Sequence, residues 1–290
     1  MEGKDYFHVC TKGSDLPWMF RDDADFIAGV NRVGICVLTT RTEVFAFTLM
    51  DTHVHFVLYG SMPDCKNFIK RYKQLTGRWI YEKYGISGHL TDVNTSIIHI
   101  VSKEHLMEEI AYLDRNSIAA GYRNLPTEYP WGSAKYMFKE EHASDNRKYR
   151  RVCEISNSDL RDILASRVIP PSDWEIDTNG MINPRCFINV NLLESLFRTP
   201  NRYIYFLSKK VEGDVEMRHT QGVKSFIPDR ELRLVIDDIL RRVYCVDKVA
   251  LLDFKSKISL AKTLRYEYAS TLKQIARLLR MDFDLLKGFV

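Results

Sequence analysis

The chain has 290 residues, 45% of them hydrophobic and 28% charged, with a formal net charge of +4 at pH 7. That apolar fraction excludes a chain disordered throughout, and no apolar run approaches the roughly 18 residues of a membrane-spanning helix. The opening MEGKDYFHVCTKGSD lacks the apolar stretch of a secretory signal. Six cysteines, at 10, 36, 65, 153, 186 and 245, are too scattered for a zinc half-site or a disulfide framework, and read as reduced thiols of a cytoplasmic protein.

Strand and helix signals alternate over the first 138 residues. Tyr6–Thr11 is a short strand-like run. A helical period follows from Arg21–Asp23 to about Leu38. TEVFAFTLM (42–50) and THVHFVLYG (52–60) read as two strands joined at Met50–Asp51. Met62–Pro63 opens a basic helix that ends before Gly85, and TSIIHIV (95–101) is a fourth strand. Ser102 caps a helix running to about Ala120, stopped by Gly121. This β-α-β-β-α-β order, followed by one more helix, predicts an α+β domain of ferredoxin-like type. It should be an antiparallel sheet with helices on one face and the other face open to single-stranded nucleic acid.

The text changes beyond Gly121. NLPTEYPWGSAKYMF (124–138) is an aromatic, irregular extension, and KEEHASDNRKYRR (139–151) reads as a polar linker. Short helical patterns then dominate at 157–166, 190–198, 228–244, 255–267 and 270–280. The expected organisation is a domain over 1–138, a linker over 139–151 and an all-α domain over 152–290.

Charge is unevenly spread. Residues 62–84 carry six basic residues (Lys66, Lys70, Arg71, Lys73, Arg78, Lys83) against Asp64 and Glu82. Residues 223–290 carry 14 Lys and Arg against nine Asp and Glu. Such local excess suits a polyanion. Two side-chain spacings carry chemistry. His53 and His55 are two apart in a strand, so their imidazoles share a face and can share a metal ion. Tyr112 and Asn116 are four apart in a helix, so they share a face as well.

In that order these segments resemble a known family. FTLMDTHVHFVLYG (47–60) is similar to the hallmark strand of the HUH single-strand transposases. YLDRNSIAAGYRNLPTEYPWGSAKYMF (112–138) resembles the second hallmark of one branch, the REP-associated tyrosine transposases. HVCTKGSD (8–15) and MFRDDADF (19–26) resemble the opening of that family, so the likeness spans about residues 5–138. Ser117 stands where the family usually has Pro, and Ala119 where Arg is common. The resemblance implies that His53 and His55 bind a divalent metal, with Asn116 completing the site. A mixed nitrogen and oxygen donor set suits Mg²⁺ or Mn²⁺. It implies that Tyr112 is the nucleophile, leaving a 5′-phosphotyrosine and a free 3′-OH.

Within residues 256–290, Ser270 or Thr271 can cap a helix to Leu279, and a turn at Arg280-Met281-Asp282 leads to a second short helix over 283–289. Leu272, Ile275, Ala276, Leu279, Leu285 and Leu286 would form the small core of this helix-turn-helix outline. LAKTLRYEYASTLKQIARLL loosely resembles the C-terminal DNA-binding domain of the bacterial initiator DnaA. The expected DNA contacts are Lys66, Lys70, Arg71, Lys73, Arg78, Lys273, Arg277 and Arg280. The expected protein is a transposase-like endonuclease and strand transferase, acting on single-stranded or hairpin DNA at the bacterial nucleoid without a membrane, with homodimerisation left open. Two rival readings abandon the cleavage. One is a domesticated protein that binds hairpin DNA or RNA, the other a helix-turn-helix transcriptional regulator.

Overall fold

The computed structural model describes residues 3–16, 18–122, 125–139, 148–208, 229–266, 268 and 270–290. Four strands form one sheet: β1 (Asp5–Thr11), β2 (Glu43–Met50), β3 (His53–Gly60) and β4 (Thr95–Ile100). Their order is β2-β3-β1-β4, and every neighbouring pair is antiparallel. Between them lie α1 (Asp23–Thr39), α2 (Met62–Tyr84) and, after β4, α3 (Lys103–Ala119). The fold is therefore α+β around an antiparallel sheet.

Each helix start has a local cause. The side chains of Asp22, Ser61 and Ser102 accept hydrogen bonds from the backbone N–H of Asp25, Asp64 and His105, satisfying donors that a helix start leaves open. The second helix stops at Gly85, whose φ of +69° is the left-handed cap that glycine adopts without cost. Asp25, buried in α1, gathers Trp79 Nε1, Lys83 Nζ and Tyr84 Oη from α2, binding the two helices together.

Strand alternation divides the sheet into two faces. Phe7, Val9, Phe47, Leu49, Val54, Phe56 and Leu58 pack with α1 and α2 residues such as Val30, Val33, Phe68 and Tyr72. Phe45 and Val57 face the other way and pack with Leu106, Met107, Ile110 and Leu113 of α3. The face expected to stay open is therefore covered. Its cover is α3, which turns an apolar stripe at helical spacing onto the strands. The aromatic extension is packed rather than presented: Trp131 stacks on Phe26 at 4.9 Å, and Tyr129 Oη donates to Leu49 O.

Residues 140–147 of the expected linker lie outside the described residues. Residues 149–208 differ from the expected linker end (149–151) and all-α domain (from 152). They include two short paired strands, β5 (Tyr149–Arg151) and β6 (Glu175–Asp177), along with α4 (Asn157–Leu164), α5 (Val190–Phe197) and α6 (Pro200–Ser208). Their apolar side chains join the two cores already described. Val152, Leu160, Trp174 and Ile182 enter the α1 side, and Leu193, Phe197 and Tyr203 enter the α3 side. Buried Asn31 of α1 fixes the docking, donating to Gly180 O and accepting from Ile182 N. The helix at 200–208 is not among the elements that the periodicity predicts.

A separate apolar cluster belongs to α7 (Asp229–Val243), α8 (Phe254–Tyr266), α9 (Leu272–Leu279) and α10 (Phe283–Lys287). Thr271 caps α9, accepting from Gln274 N. Arg280, in the left-handed region at φ +52°, ends it, and Asp282 caps α10. Ile275, Leu279 and Leu286 are buried as expected, whereas Leu285 points outward at 48% exposure. The stretch 223–228 of the basic C-terminal part lies outside the described residues. Among the described residues no helix is long and apolar enough to cross a membrane.

Candidate active site

His53 and His55 project from β3 toward α3, and α3 brings Tyr112 and Asn116 over them. The two imidazole centroids are 4.9 Å apart and nearly perpendicular. The Tyr112 ring stands edge-on to His55 at 5.8 Å. Asn116 is within hydrogen-bonding reach of His53, where it favours the protonated ring. Asn116 Nδ2 donates back to Tyr112 O at 3.0 Å and Leu113 O at 3.3 Å, which occupies the amide nitrogen and leaves the oxygen as the atom that meets His53. The four residues singled out from sequence thus share one site.

Burial sets the protonation of the pair. It holds His53 down to about 3 and His55 well below the usual histidine value, with neighbouring Arg277 acting in the same direction on both. Both rings are neutral at pH 7, the form that binds a metal. His53 Nδ1 is 2.9 Å from Thr52 Oγ1, which leaves Nε2 for Asn116. Tyr112 is 45% exposed, so a substrate can reach it. Partial burial, together with Cys10 and Glu109 nearby, raises its phenol above the ordinary value, so Tyr112 is held protonated.

Three neighbours were not legible as site residues. His8 and Cys10 lie on β1, and Cys10 pairs directly with His55 across the β1–β3 ladder. His8 Nε2 is 2.9 Å from His55 Nδ1, and His8 Nδ1 is 2.5 Å from Glu109 Oε2 of α3. The Glu109 carboxyl is lowered by that bond to His8, so it is an acceptor. With Nδ1 turned to Glu109, a neutral His8 accepts at Nε2, and His55 then donates from Nδ1. The only nitrogen left on His55 is Nε2. It is buried and has no hydrogen-bond partner, and on this tautomer it carries the lone pair. An orphaned nitrogen of this kind beside a second neutral imidazole and the Asn116 amide oxygen fits a divalent cation.

The wall beside His53 comes from two distant segments. A Cβ on Gly13, in the 3-10 turn Gly13–Asp15, would lie 2.9 Å from His53 Nδ1 and 3.2 Å from Arg277 Cδ. Arg277, expected to meet DNA, instead binds Asp229 Oδ2 through Nε at 2.9 Å and Nη2 at 2.5 Å. Arg280 lies near Asp15 and His89, and Lys273 is exposed.

The basic helix α2 presents a groove. Lys66, Lys70, Lys73 and Arg78 line a cavity of about 920 Å³ closed on its far side by residues 87–91 and by Thr95 and Ile97 of β4. Lys73 Nζ donates to Val93 O at 2.6 Å and Arg78, itself exposed, pairs with Glu82 on the surface, while Lys66 and Lys70 are exposed as well. Arg71 is not part of the lining. It is half-buried on the side of Cys36.

Comparison with family models, with curated proteins and with solved structures returns no match for this chain.

Proposed function

We propose that this protein is a metal-dependent, single-strand DNA endonuclease and strand transferase of the HUH tyrosine type, working at the bacterial nucleoid. The observation that carries the reading is the convergence of His53, His55, Tyr112 and Asn116 from β3 and α3. The order β2-β3-β1-β4, reached through β-α-β-β-α-β, supports a ferredoxin-like HUH domain beneath it.

In this reading Tyr112 Oη attacks a phosphorus of the DNA backbone. A Tyr O–P bond forms as the bond to the 3′-oxygen breaks, and the leaving oxygen takes a proton to become a 3′-OH. The phenolic proton is lost to solvent or a neighbouring base. The 5′-phosphotyrosine keeps the phosphodiester energy, so a second 3′-OH can reverse the step and join strands. His53 and His55, held neutral, and the Asn116 oxygen are the residues that would hold Mg²⁺ or Mn²⁺. When bound, such an ion stabilises charge developing on the phosphate oxygens. Lys66 and Lys70 would hold the backbone away from the cut.

A labelled single-stranded hairpin oligonucleotide incubated with Mn²⁺ should yield a covalent protein–DNA adduct on a denaturing gel. Tyr112→Phe should abolish the adduct while binding changes no more than a few fold. An adduct persisting in Tyr112→Phe refutes the nucleophile. Hairpin binding with no adduct in the wild type favours the non-cleaving binder.

A further inference from the structure

We infer that His8, Cys10 and His55 form a second metal site, selective for a thiophilic divalent ion of the zinc class, which competes with the His53–His55–Asn116 centre for His55. One donor atom from each of these residues lies within 4.8 Å of the others. His8 Nε2 and His55 Nδ1 already face each other at 2.9 Å. Tetrahedral zinc, about 2.0–2.3 Å from nitrogen and sulfur, needs donors roughly 3.3–3.6 Å apart. The imidazoles must open slightly, and the thiol must settle at the same spacing. Cys10 is only partly buried, so its side chain has room to move.

Two features point to a ligand rather than to a chance cluster. The first is the contact that orients His8. Its distal nitrogen is held by Glu109 at 2.5 Å, the carboxylate–histidine arrangement that fixes the tautomer of a metal ligand. The second is the donor set. A thiol with two imidazoles favours a borderline-soft ion over Mg²⁺, whereas two imidazoles with an amide oxygen lack any soft donor. The two sites therefore sort metals by chemistry while sharing one ring.

Sharing has a strict consequence. Zinc binding takes His8 Nε2, the Cys10 thiolate and His55 Nδ1. The thiol proton goes to solvent, and the proton on His55 Nδ1 relocates to Nε2. The lone pair that the first centre needs is then gone, so zinc at the second site empties the first. The protein would be held inactive by zinc at concentrations where Mg²⁺ alone would leave it competent. The existence of the thiolate site does not depend on the proposed DNA chemistry; only this inhibitory consequence rests on it.

Co²⁺ is the probe, added to the metal-free full-length protein under reducing conditions. The expected result is a near-ultraviolet thiolate-to-cobalt charge-transfer band at one equivalent. It should be lost in Cys10→Ser and in His8→Ala, and retained in His53→Ala and Asn116→Ala. Mn²⁺ affinity by electron paramagnetic resonance is the second readout. One equivalent of Zn²⁺ should weaken Mn²⁺ binding at least about tenfold in the wild type, the scale of losing a supported ligand. In Cys10→Ser, a near-isosteric change at a partly exposed position, Mn²⁺ should bind normally and be indifferent to Zn²⁺. A charge-transfer band that survives Cys10→Ser overturns the site, as does Mn²⁺ binding unaffected by Zn²⁺ in the wild type. Failure of DNA cleavage with the cobalt band intact would count against the proposed function and leave the zinc site standing.

Discussion

Arg277, half-buried, and Asp229, buried, lie 48 residues apart and form a pair in which Nε and Nη2 converge on a single carboxylate oxygen. The other oxygen of Asp229 accepts from Gln274 Nε2 at 2.9 Å, and the Asp229 backbone N–H donates to Ala120 O just beyond α3. One residue thus ties α7 to α9 and both to the end of the helix that carries Tyr112. The same Arg277 packs against Gly13 beside His53, so the C-terminal bundle abuts the site through a side chain already neutralised.

Removing one partner of such a pair leaves a largely desolvated charge uncompensated and costs at most about 3–5 kcal/mol. Asp229→Asn should therefore loosen the bundle. Hydrogen exchange in α7 and α9 should accelerate by two or more orders of magnitude while β1 and β3 keep their protection. Unchanged exchange would mean that the apolar cluster alone secures the docking.

The Glu109–His8–His55 chain predicts an effect on metal affinity without loss of fold. In Glu109→Gln the amide can donate as well as accept, so the tautomer of His8 is no longer dictated. Mn²⁺ affinity should fall about 10–100-fold while the thermal transition stays within a few degrees. Nitrogen-detected NMR of the metal-free protein should show His55 protonated at Nδ1 in the wild type and a mixture in the variant. A single unchanged tautomer would contradict the relay.

Asp114 gives a pH dependence of stability. It is fully buried in α3, accepts from Tyr203 Oη at 2.7 Å, and burial raises its carboxyl to about 7. A raised acid binds its proton more tightly folded than unfolded. Its contribution is full below pH 4 and is lost as pH climbs to 7. Between pH 5 and 7 this amounts to at most about 3 kcal/mol. Urea unfolding should show that decline, and Asp114→Asn should flatten it. A variant as pH-sensitive as the wild type would assign the decline elsewhere.

Truncation separates shared core from independent unit. Residues 1–151 lack Trp174, Ile182 and Phe187 against α1 and Leu193, Phe197 and Tyr203 against α3. Each such side chain is worth about 1.5–3 kcal/mol when buried. A fragment ending at 151 should melt without a cooperative transition, whereas one ending at 208 should melt cooperatively. A cooperative 1–151 fragment would show that this packing is dispensable.

Under the proposed function, Lys66 and Lys70 should carry the salt dependence of DNA binding. Replacing both by Glu should weaken binding and make log affinity against log salt shallower by about two, near one for each phosphate no longer neutralised. The same change at Arg71, which lies away from the groove, should leave the slope alone.

Sequence periodicity located the strands and most helices, because two-residue and 3.6-residue patterns are local. It also placed His53 with His55 and Tyr112 with Asn116, since each pair lies within one element. It did not join the pairs to His8, Cys10 and Glu109. The alternation rule puts His8 and Cys10 on one face of β1, yet only the β1–β3 register, a long-range property, sets them against His55. The docking of residues 149–208 escaped for a related reason. Their apolar spacing says that they are buried but not against what, and Asn31, which fixes the docking, reads in sequence as an ordinary polar helix residue.

The register of β3 ties folding to chemistry. Val54, Phe56 and Leu58 fill the core on one face, while His53 and His55 line the site on the other. One residue inserted in the Asp51–Thr52 turn and accommodated by a slip would trade the two sets, driving imidazoles into the apolar layer and Val54, Phe56 and Leu58 onto the site face. A chain that errs this way loses its fold and its ligands in a single event, so misregistered copies cannot persist as folded proteins that merely lack activity.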